Sequence, residues 1–160
     1  MKNEKLTHID ETGKAKMVDI SEKEPTLRIA IAKGEVLLNR TTFILVSAGE
    51  MKKGDVLSVA QIAGIMAAKK TSELVPLCHP IQLNQVKVDL TLDDALPGIQ
   101  IRSEIKTFDR TGAEMEAMVA VSIAAVTIYD MVKAAQKDAR IMNIRLVEKH
   151  GGNSGDLYNE

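Results

Sequence analysis

Two runs of regularly alternating residues constrain the fold of this chain more than any other feature of its sequence. In residues 86–93 and again in residues 99–106, apolar and polar side chains alternate. This period of two is typical of a β-strand with one buried and one solvated face. The intervening residues 94–98, which include Pro97 and Gly98, have the composition of a turn. The sequence therefore predicts an antiparallel hairpin.

Two further strands are predicted, one on each side of this hairpin along the chain. Near the N-terminus, Leu27, Ile29 and Ile31 alternate with smaller or charged residues, and the pattern continues toward Leu38. A last strand is predicted around residues 142–149. The chain therefore offers four strands for one sheet.

Helices are predicted in the two long segments between these strands. The first follows Asp55, an expected N-cap, and runs to about Lys70. The second occupies residues 111–136, where Thr111 and Glu114 match a capping box. A shorter helix is predicted at residues 41–48. The core-facing stripe expected of the first helix consists of Val56, Val59, Ala60, Ala63, Met66 and Ala67.

The element order is strand, helix, strand, strand, helix, strand. With right-handed crossovers, this order predicts an α+β, ferredoxin-like βαββαβ sandwich with helices on one face of an antiparallel sheet. We expect one domain over residues 1–160, with an irregular lead-in at 1–25 and a flexible tail at 150–160.

Composition excludes several classes of protein. Lys and Arg number 21 against 22 Asp and Glu, so no global field attracts nucleic acid or an anionic membrane. There is no Trp, and two Phe and two Tyr are too few for base stacking. The one Cys cannot form an internal disulfide, which fits a reducing compartment. We expect a cytoplasmic protein, because we find neither a signal peptide nor an apolar run long enough to span a bilayer.

The second predicted helix is apolar on nearly all sides. Little polar surface separates Glu116 from Tyr129, and a helix of this kind is buried on more than one side. A sheet covers only one side in the predicted sandwich. A second copy of the chain is therefore expected to cover another side, although additional helices of the same chain are an alternative.

The segment from Pro76 to Pro80 is the first candidate site. Each proline fixes its own φ and disfavours helix in the residue before it, so the segment is expected to be stiff and extended. Cys78 is the sole cysteine, and a zinc site would need further ligands. Adjacent residues of an extended chain point to opposite sides, which disfavours a nucleophilic Cys78–His79 pair. A role for His79 in hydrogen bonding or proton transfer is favoured over a merely packed histidine.

Asp130 and Lys133 are the second candidate site. They lie three positions apart near the end of the second helix and therefore share a face. Pairs of this kind are common on helix surfaces and usually have no function. Here the pair directly follows a buried apolar run, which favours acid–base work. Glu116 lies roughly 21 Å from Asp130 along a straight helix, so a pocket that uses both needs two chains.

Basic residues cluster at element ends, where Lys52, Lys53, Lys69, Lys70 and Lys149 lie. A single lysine at such a position is usually only solvated. Several of them converging on one cleft would bind a polyphosphate. The glycine-containing residues 151–155 are not a phosphate-binding Walker loop, because the GK[ST] ending and the following helix are missing.

Short blocks along the whole chain are similar to one known family. They are Leu6-Thr7-His8-Ile9-Asp10, Met17-Val18-Asp19-Ile20-Ser21, Lys53-Gly54-Asp55-Val56, Ala63-Gly64-Ile65 with Ala67-Ala68-Lys69, Pro76-Leu77-Cys78-His79-Pro80, Gly112-Ala113-Glu114-Met115-Glu116-Ala117, Thr127-Ile128-Tyr129-Asp130-Met131 with Lys133, and Gly151-Gly152-Asn153-Ser154-Gly155-Asp156. Together these blocks resemble the molybdenum cofactor biosynthesis protein C family. The block with two prolines and the Tyr-Asp-Met block are the most specific.

The resemblance implies a lyase that rearranges 3′,8-cyclo-7,8-dihydroguanosine triphosphate to cyclic pyranopterin monophosphate and releases pyrophosphate. It also implies a homohexamer of three dimers with active sites at the dimer interfaces. Asp130 is implied as the catalytic carboxylate and Lys133 as its acid–base partner. The implied substrate-binding residues are Leu77, Cys78, His79, Glu114, Met115, Glu116, Lys53, Lys69, Lys149 and Arg28.

No metal site and no redox cofactor are expected, although Mg²⁺ could accompany the substrate triphosphate. The main alternative is a ferredoxin-like regulatory module that binds a nucleotide without chemistry. An RNA-binding domain on the same fold is disfavoured by the neutral charge and the scarcity of aromatic residues.

Overall fold

The computed structural model describes residues 8–10, 12–152 and 155–160. Part of the predicted lead-in and tail, including Leu6, Thr7, Asn153 and Ser154 of the blocks quoted above, lies outside these ranges. The elements are β1 (Thr26–Leu37), α1 (Arg40–Ser47), α2 (Val56–Ala68), α3 (Thr71–Leu74), β2 (Leu83–Asp93), β3 (Gly98–Asp109), α4 (Glu114–Val132), β4 (Arg140–His150) and β5 (Leu157–Tyr158).

Within the described residues, the strands form one antiparallel sheet in the order β2-β3-β1-β4-β5. The first four strands and the helices α2 and α4 reproduce the predicted ferredoxin-like α+β sandwich, which is thereby confirmed. The hairpin lies where the alternation placed it, with Asp93 opposite Gly98. The short elements α3 and β5 were not predicted.

The sheet buries one face against the helices and leaves a charged face on the other side. Ala30, Ala32 and Val36 of β1 are buried and lie opposite buried residues of β3. An ideal Cβ on Gly34 would lie 2.6 Å from Val121 Cγ1 of α4, so this row faces the helix layer. Leu27, which the alternation placed on the apolar face of β1, is instead 56% exposed. Small residues line the helix face because α4 approaches β1 closely.

The two long helices pack against each other on this face. Asp55 caps α2 as predicted, because its side chain accepts a hydrogen bond of 3.0 Å from the Ser58 amide. The predicted core stripe of α2 is only partly right, since Val59 and Met66 are exposed. They are exposed because the helix turns Ala60 and Gly64 toward α4 instead, where small residues allow close approach.

The capping box predicted at the start of α4 is wrong. The helix begins at Glu114, and Ala113 occupies the N-cap position with no side chain that could accept a hydrogen bond. Thr111 lies outside the helix. The carboxylate of Glu114 instead pairs with Lys149 of β4 at 2.9 Å. An ion pair to a neighbouring strand has replaced the local capping interaction.

α4 is long and apolar enough to cross a membrane by length and composition alone, so the expectation that no apolar run could span a bilayer is wrong. Half of its most apolar stretch is buried inside the molecule, against β1, β3, β4 and α2. The core helix of a soluble protein has the same length and composition.

Replacing Gly64 by Val is expected to destabilise the domain. An ideal Cβ at this position would lie 2.9 Å from the backbone oxygen of Ala120 and 3.3 Å from Val88 Cγ1, so the two helices must separate. We expect a loss of about 1–3 kcal/mol in the free energy of unfolding, measured by urea denaturation. Ile44→Val, at an exposed position of α1, is the control. Equal effects of both substitutions would contradict close packing at Gly64.

Candidate functional site

The end of α4 carries a cluster of one carboxylate between two ammonium groups, here called the Asp130 cluster. Lys133 Nζ lies 2.8 Å from Asp130 Oδ1, and Lys53 Nζ lies 2.6 Å from Asp130 Oδ2. Lys53 also donates a hydrogen bond of 2.9 Å to the backbone oxygen of Asp130. Lys133 and Lys53 together lower the pKa of Asp130 to about 2, and Asp130 raises the pKa of Lys133. The carboxylate is therefore ionised and Lys133 protonated at neutral pH.

The local sequence explains how this cluster is built. Asp130 and Lys133 are one helical turn apart, with Lys133 at the C-cap of α4. Lys53 reaches them from the turn before α2, where Gly54 has a positive φ of 92°. All three side chains are about half exposed, so solvent screens their attraction and a ligand can approach them. Lys53 and Met131 also line a small apolar cavity of about 230 Å³.

The other end of α4 opens on a larger cavity of about 550 Å³, here called the basic cavity. It is named after Arg28 and Lys149, and its lining also includes Lys23, His150 and the carboxylates Glu22, Glu24 and Glu114. The Gly151–Gly152 turn closes one side. Both glycines have positive φ, and an ideal Cβ on Gly152 would lie 1.6 Å from Nη1 of Arg28. Only glycine lets this turn lie against the guanidinium.

A third cavity, of about 370 Å³, lies next to the basic cavity and is lined in part by the Pro76–Pro80 segment. Leu77, Cys78 and His79 line it together with Met115 from the first turn of α4. The chain turns at this point, with the Cys78 amide bonded to the Val75 oxygen at 3.1 Å. Cys78 and His79 therefore line the same cavity. The sequence had predicted an extended chain with the two side chains on opposite sides.

Glu116 lies behind this cavity and is the most buried acidic residue of the site. It is 3% exposed, and its Oε1 lies 3.7 Å from Cys78 Sγ. Its Oε2 has no hydrogen-bond partner in the described part of the chain. Burial raises the pKa of Glu116. A buried carboxyl with one free oxygen can offer or accept a hydrogen bond to a ligand. Glu116 also borders a cavity of about 270 Å³ that includes Lys69.

The residues predicted from the sequence thus form two groups at opposite ends of α4. Asp130, Lys133 and Lys53 form the Asp130 cluster, and the other predicted residues surround the cavities at the start of the helix. The fourteen residues from Glu116 to Asp130 correspond to roughly 21 Å of helix. A single chain therefore does not bring the two groups together.

Several residues of these cavities were not singled out from the sequence. Lys23 lines both the basic cavity and the cavity of Cys78, as does Thr111, which the sequence suggested only as a helix cap. Lys23 lies in the irregular lead-in, where periodicity gives no signal. His150, in the wall of the basic cavity, was not identified from the sequence either. Among the described residues, no group of three or more His, Cys, Asp or Glu side chains is placed to hold a metal ion.

Cys78 is expected to react slowly with alkylating agents. Burial first, and Glu116 second, raise the pKa of its thiol from 9.0 to about 11. The thiolate is the reactive form, and two pKa units lower its population about a hundredfold at neutral pH. We expect iodoacetamide to modify the folded protein about a hundredfold more slowly than the urea-unfolded chain. The rate should still be rising at about pH 10. A plateau near pH 9 would contradict the raised pKa.

The fold and these cavities define a ferredoxin-like α+β protein with clusters of charged side chains at both ends of its central helix. Comparison with known proteins identifies the family within this class of protein. The MoaC family model matches residues 17–152, and the chain belongs to the MoaC family. A protein of Methylobacterium nodulans named cyclic pyranopterin monophosphate synthase is 56% identical over 153 residues, which cover 96% of this chain and 95% of that protein.

Two further relatives carry the same name. The protein of Heliobacterium modesticaldum is 55% identical over 155 residues, which cover 97% of this chain and 98% of that protein. The protein of Cereibacter sphaeroides strain KD131 is 54% identical over 150 residues, 94% of each chain. These matches confirm the family resemblance inferred from the sequence blocks.

Proposed function

We propose that this protein is a lyase of molybdenum cofactor biosynthesis, which converts 3′,8-cyclo-7,8-dihydroguanosine triphosphate to cyclic pyranopterin monophosphate and releases pyrophosphate. The observation that carries the proposal is the identity of more than half of the residues with proteins named cyclic pyranopterin monophosphate synthase, over nearly the full length of both chains. The cavities and charged clusters supply groups suited to this reaction.

In the proposed mechanism, the Asp130 cluster transfers protons. Lys133 starts protonated and can donate, and Asp130 starts ionised and can accept. A carboxylate with a pKa of about 2 is a weak base. Substrate phosphates that draw Lys53 away from Asp130 would raise this pKa and make the carboxylate a stronger base. Substrate binding thereby activates the base.

The basic residues are assigned to the triphosphate. Expelling pyrophosphate while a cyclic phosphate forms places negative charge on the leaving group, which fixed cations stabilise. Arg28 and Lys149 lie in the basic cavity. Lys53 belongs to the Asp130 cluster, and Lys69 lines the cavity that Glu116 borders. The ring system of the substrate is assigned to the cavity of Leu77, Cys78, His79 and Met115, with Glu114 and Glu116 at its border.

We further propose that each active site is completed by a second copy of the chain, in a homohexamer of three dimers. Two observations support this. The Asp130 cluster and the basic cavity lie too far apart on one chain to hold one small substrate. In addition, the outer surface of the helix layer exposes a set of large apolar side chains, Val59, Ile62, Met66, Met115 and Val126. A second copy would bury this surface.

The remaining assignments follow from the reaction. It changes no oxidation state, so it needs no redox cofactor. A Mg²⁺ ion bound with the triphosphate would be held largely by the phosphates. The partner is a small molecule, with neither nucleic acid nor membrane involved, and the proposed location is the cytoplasm.

Incubation of the purified protein with the cyclic GTP derivative tests the proposal. We expect release of one pyrophosphate for each cyclic pyranopterin monophosphate formed, followed by a coupled phosphate assay and by chromatography. GTP itself is the control and should release none. A folded protein that binds the derivative without releasing pyrophosphate would instead be the nucleotide-binding regulatory module.

A further inference from the structure

His150, at the end of β4, lies between two carboxylates from different parts of the chain. Its Nε2 is 3.2 Å from Glu148 Oε2 on the same strand. Its Nδ1 is 3.2 Å from Asp156 Oδ2, in the segment that leads into β5. The ring also meets Tyr158 of β5 edge-on, with centroids 5.2 Å apart. The imidazole therefore joins β4 to the C-terminal residues 155–160.

Nδ1 also lies 3.5 Å from the Tyr158 hydroxyl oxygen, but hydrogen bonds to both carboxylates require a charged ring. A neutral imidazole has one N–H and one lone pair, so one of its nitrogens would face a carboxylate with no proton between them. Only the imidazolium donates to both Glu148 and Asp156. Asp156 first, and Glu148 second, raise the pKa of His150 against a smaller effect of burial.

The other charged groups that line the cavity beside the ring are equally many of each sign. β1 places the uncharged Ile29 opposite His150. Charged groups of β1, β4, α4 and the lead-in line the basic cavity together with His150. Three are cations and three are anions: Arg28, Lys149, Lys23, Glu22, Glu24 and Glu114. The two carboxylates in direct contact with the ring therefore decide its charge.

Asp156 connects the ring to the turn that closes the basic cavity. Its Oδ1 accepts a hydrogen bond of 3.0 Å from the Gly151 amide, while its Oδ2 faces His150. Gly151 lies so close to β1 that an ideal Cβ would be 2.2 Å from the Leu27 oxygen, and Gly152 lies against Arg28. If Asp156 moves, the turn and its contact with Arg28 move with it.

We propose that His150 is a positioning residue whose imidazolium fastens the Gly151–Gly152 turn to the C-terminal strand, and so holds Arg28 in the wall of the basic cavity. The fastening stands on the contacts above. Its effect on a bound triphosphate also rests on the proposed function. The fastening is complete below the ordinary histidine pKa of about 6.5 and is lost as pH rises through the raised pKa of His150.

Hydrogen–deuterium exchange on the full chain tests this inference. Protection factors remove the pH dependence of intrinsic exchange and report the opening of residues 155–160. In the wild type, we expect protection to fall about fivefold between about pH 6 and about pH 9, the size expected for exposed ion pairs. His150→Gln cannot be charged and should show the low protection at every pH. In Glu148→Gln, one of the two carboxylates that raise the pKa of His150 is missing, so protection should fall at a lower pH than in the wild type.

The inference is overturned if protection of the wild type does not depend on pH, or if His150→Gln shows the same fall. Calorimetric titration with inorganic triphosphate then separates the two proposals. We expect the affinity for inorganic triphosphate to decrease with rising pH more steeply in the wild type than in His150→Gln. The triphosphate ionises identically in both titrations, so its own ionisation does not cause the difference. If inorganic triphosphate fails to bind while the pH-dependent protection persists, the phosphate assignment fails and the fastening stands.

Discussion

Replacing Asp130 by Ala is expected to lower the turnover number by a factor of about 10²–10⁴, the usual contribution of a positioned acid–base group. The substitution removes the carboxylate that holds both Lys53 and Lys133 in place. Lys133→Ala should cause a loss of similar order, because the two residues act as one unit. The measurement is pyrophosphate release at saturating cyclic GTP derivative.

The fold should survive both substitutions. Asp130 is half exposed, and its ion pairs lie in solvent, where such pairs add little stability. Light scattering and thermal unfolding should therefore match the wild type. Asp138→Ala, an exposed carboxylate beyond the end of α4, is the matched control and should turn over normally. Turnover close to the wild-type rate in both Asp130→Ala and Lys133→Ala would remove the catalytic assignment.

The fold was predictable because its signals are local and repeated. The hairpin follows from the alternation of residues 86–93 and 99–106, and α2 follows from Asp55 and the apolar run after it. The errors arose where tertiary contacts outweigh local preference. Glu114 pairs with a strand 35 positions away instead of capping its own helix. α2 turns Gly64 toward α4 and leaves Met66 exposed, because close helix packing favours small side chains.

The candidate site was chosen from the sequence by residue type, and its geometry was predictable only in part. Asp130 and Lys133 are three positions apart, so helical periodicity alone predicted that they share a face. Lys53 joins them across 77 positions, which no local pattern can reveal. Lys23 lies in a segment without periodicity, and its place in two cavities depends on the path of the irregular chain. The burial of Glu116, and the shift of its pKa, appear only when the layers are assembled.

A mixture of two inactive variants is expected to recover activity if the active site is shared between chains. Asp130→Ala damages the Asp130 cluster, and Lys149→Ala damages the basic cavity at the other end of α4. In a mixed dimer with shared sites, one site receives both damaged halves and the other receives both intact halves. Random refolding of equal amounts makes half of the dimers mixed, so we expect about one quarter of the wild-type activity.

The opposite mixture gives an independent number for the same geometry. The double variant Asp130→Ala/Lys149→Ala, refolded with an equal amount of wild type, spoils both sites of every mixed dimer if sites are shared. About one quarter of the activity then remains, whereas about one half remains if each chain holds its own site. Sites within single chains also predict no recovery from the two single variants. The shared site is therefore contradicted if the two single variants show no recovery and the second mixture keeps half of the activity. Each chain would then hold a complete site, and one substrate would have to bridge the roughly 21 Å along α4.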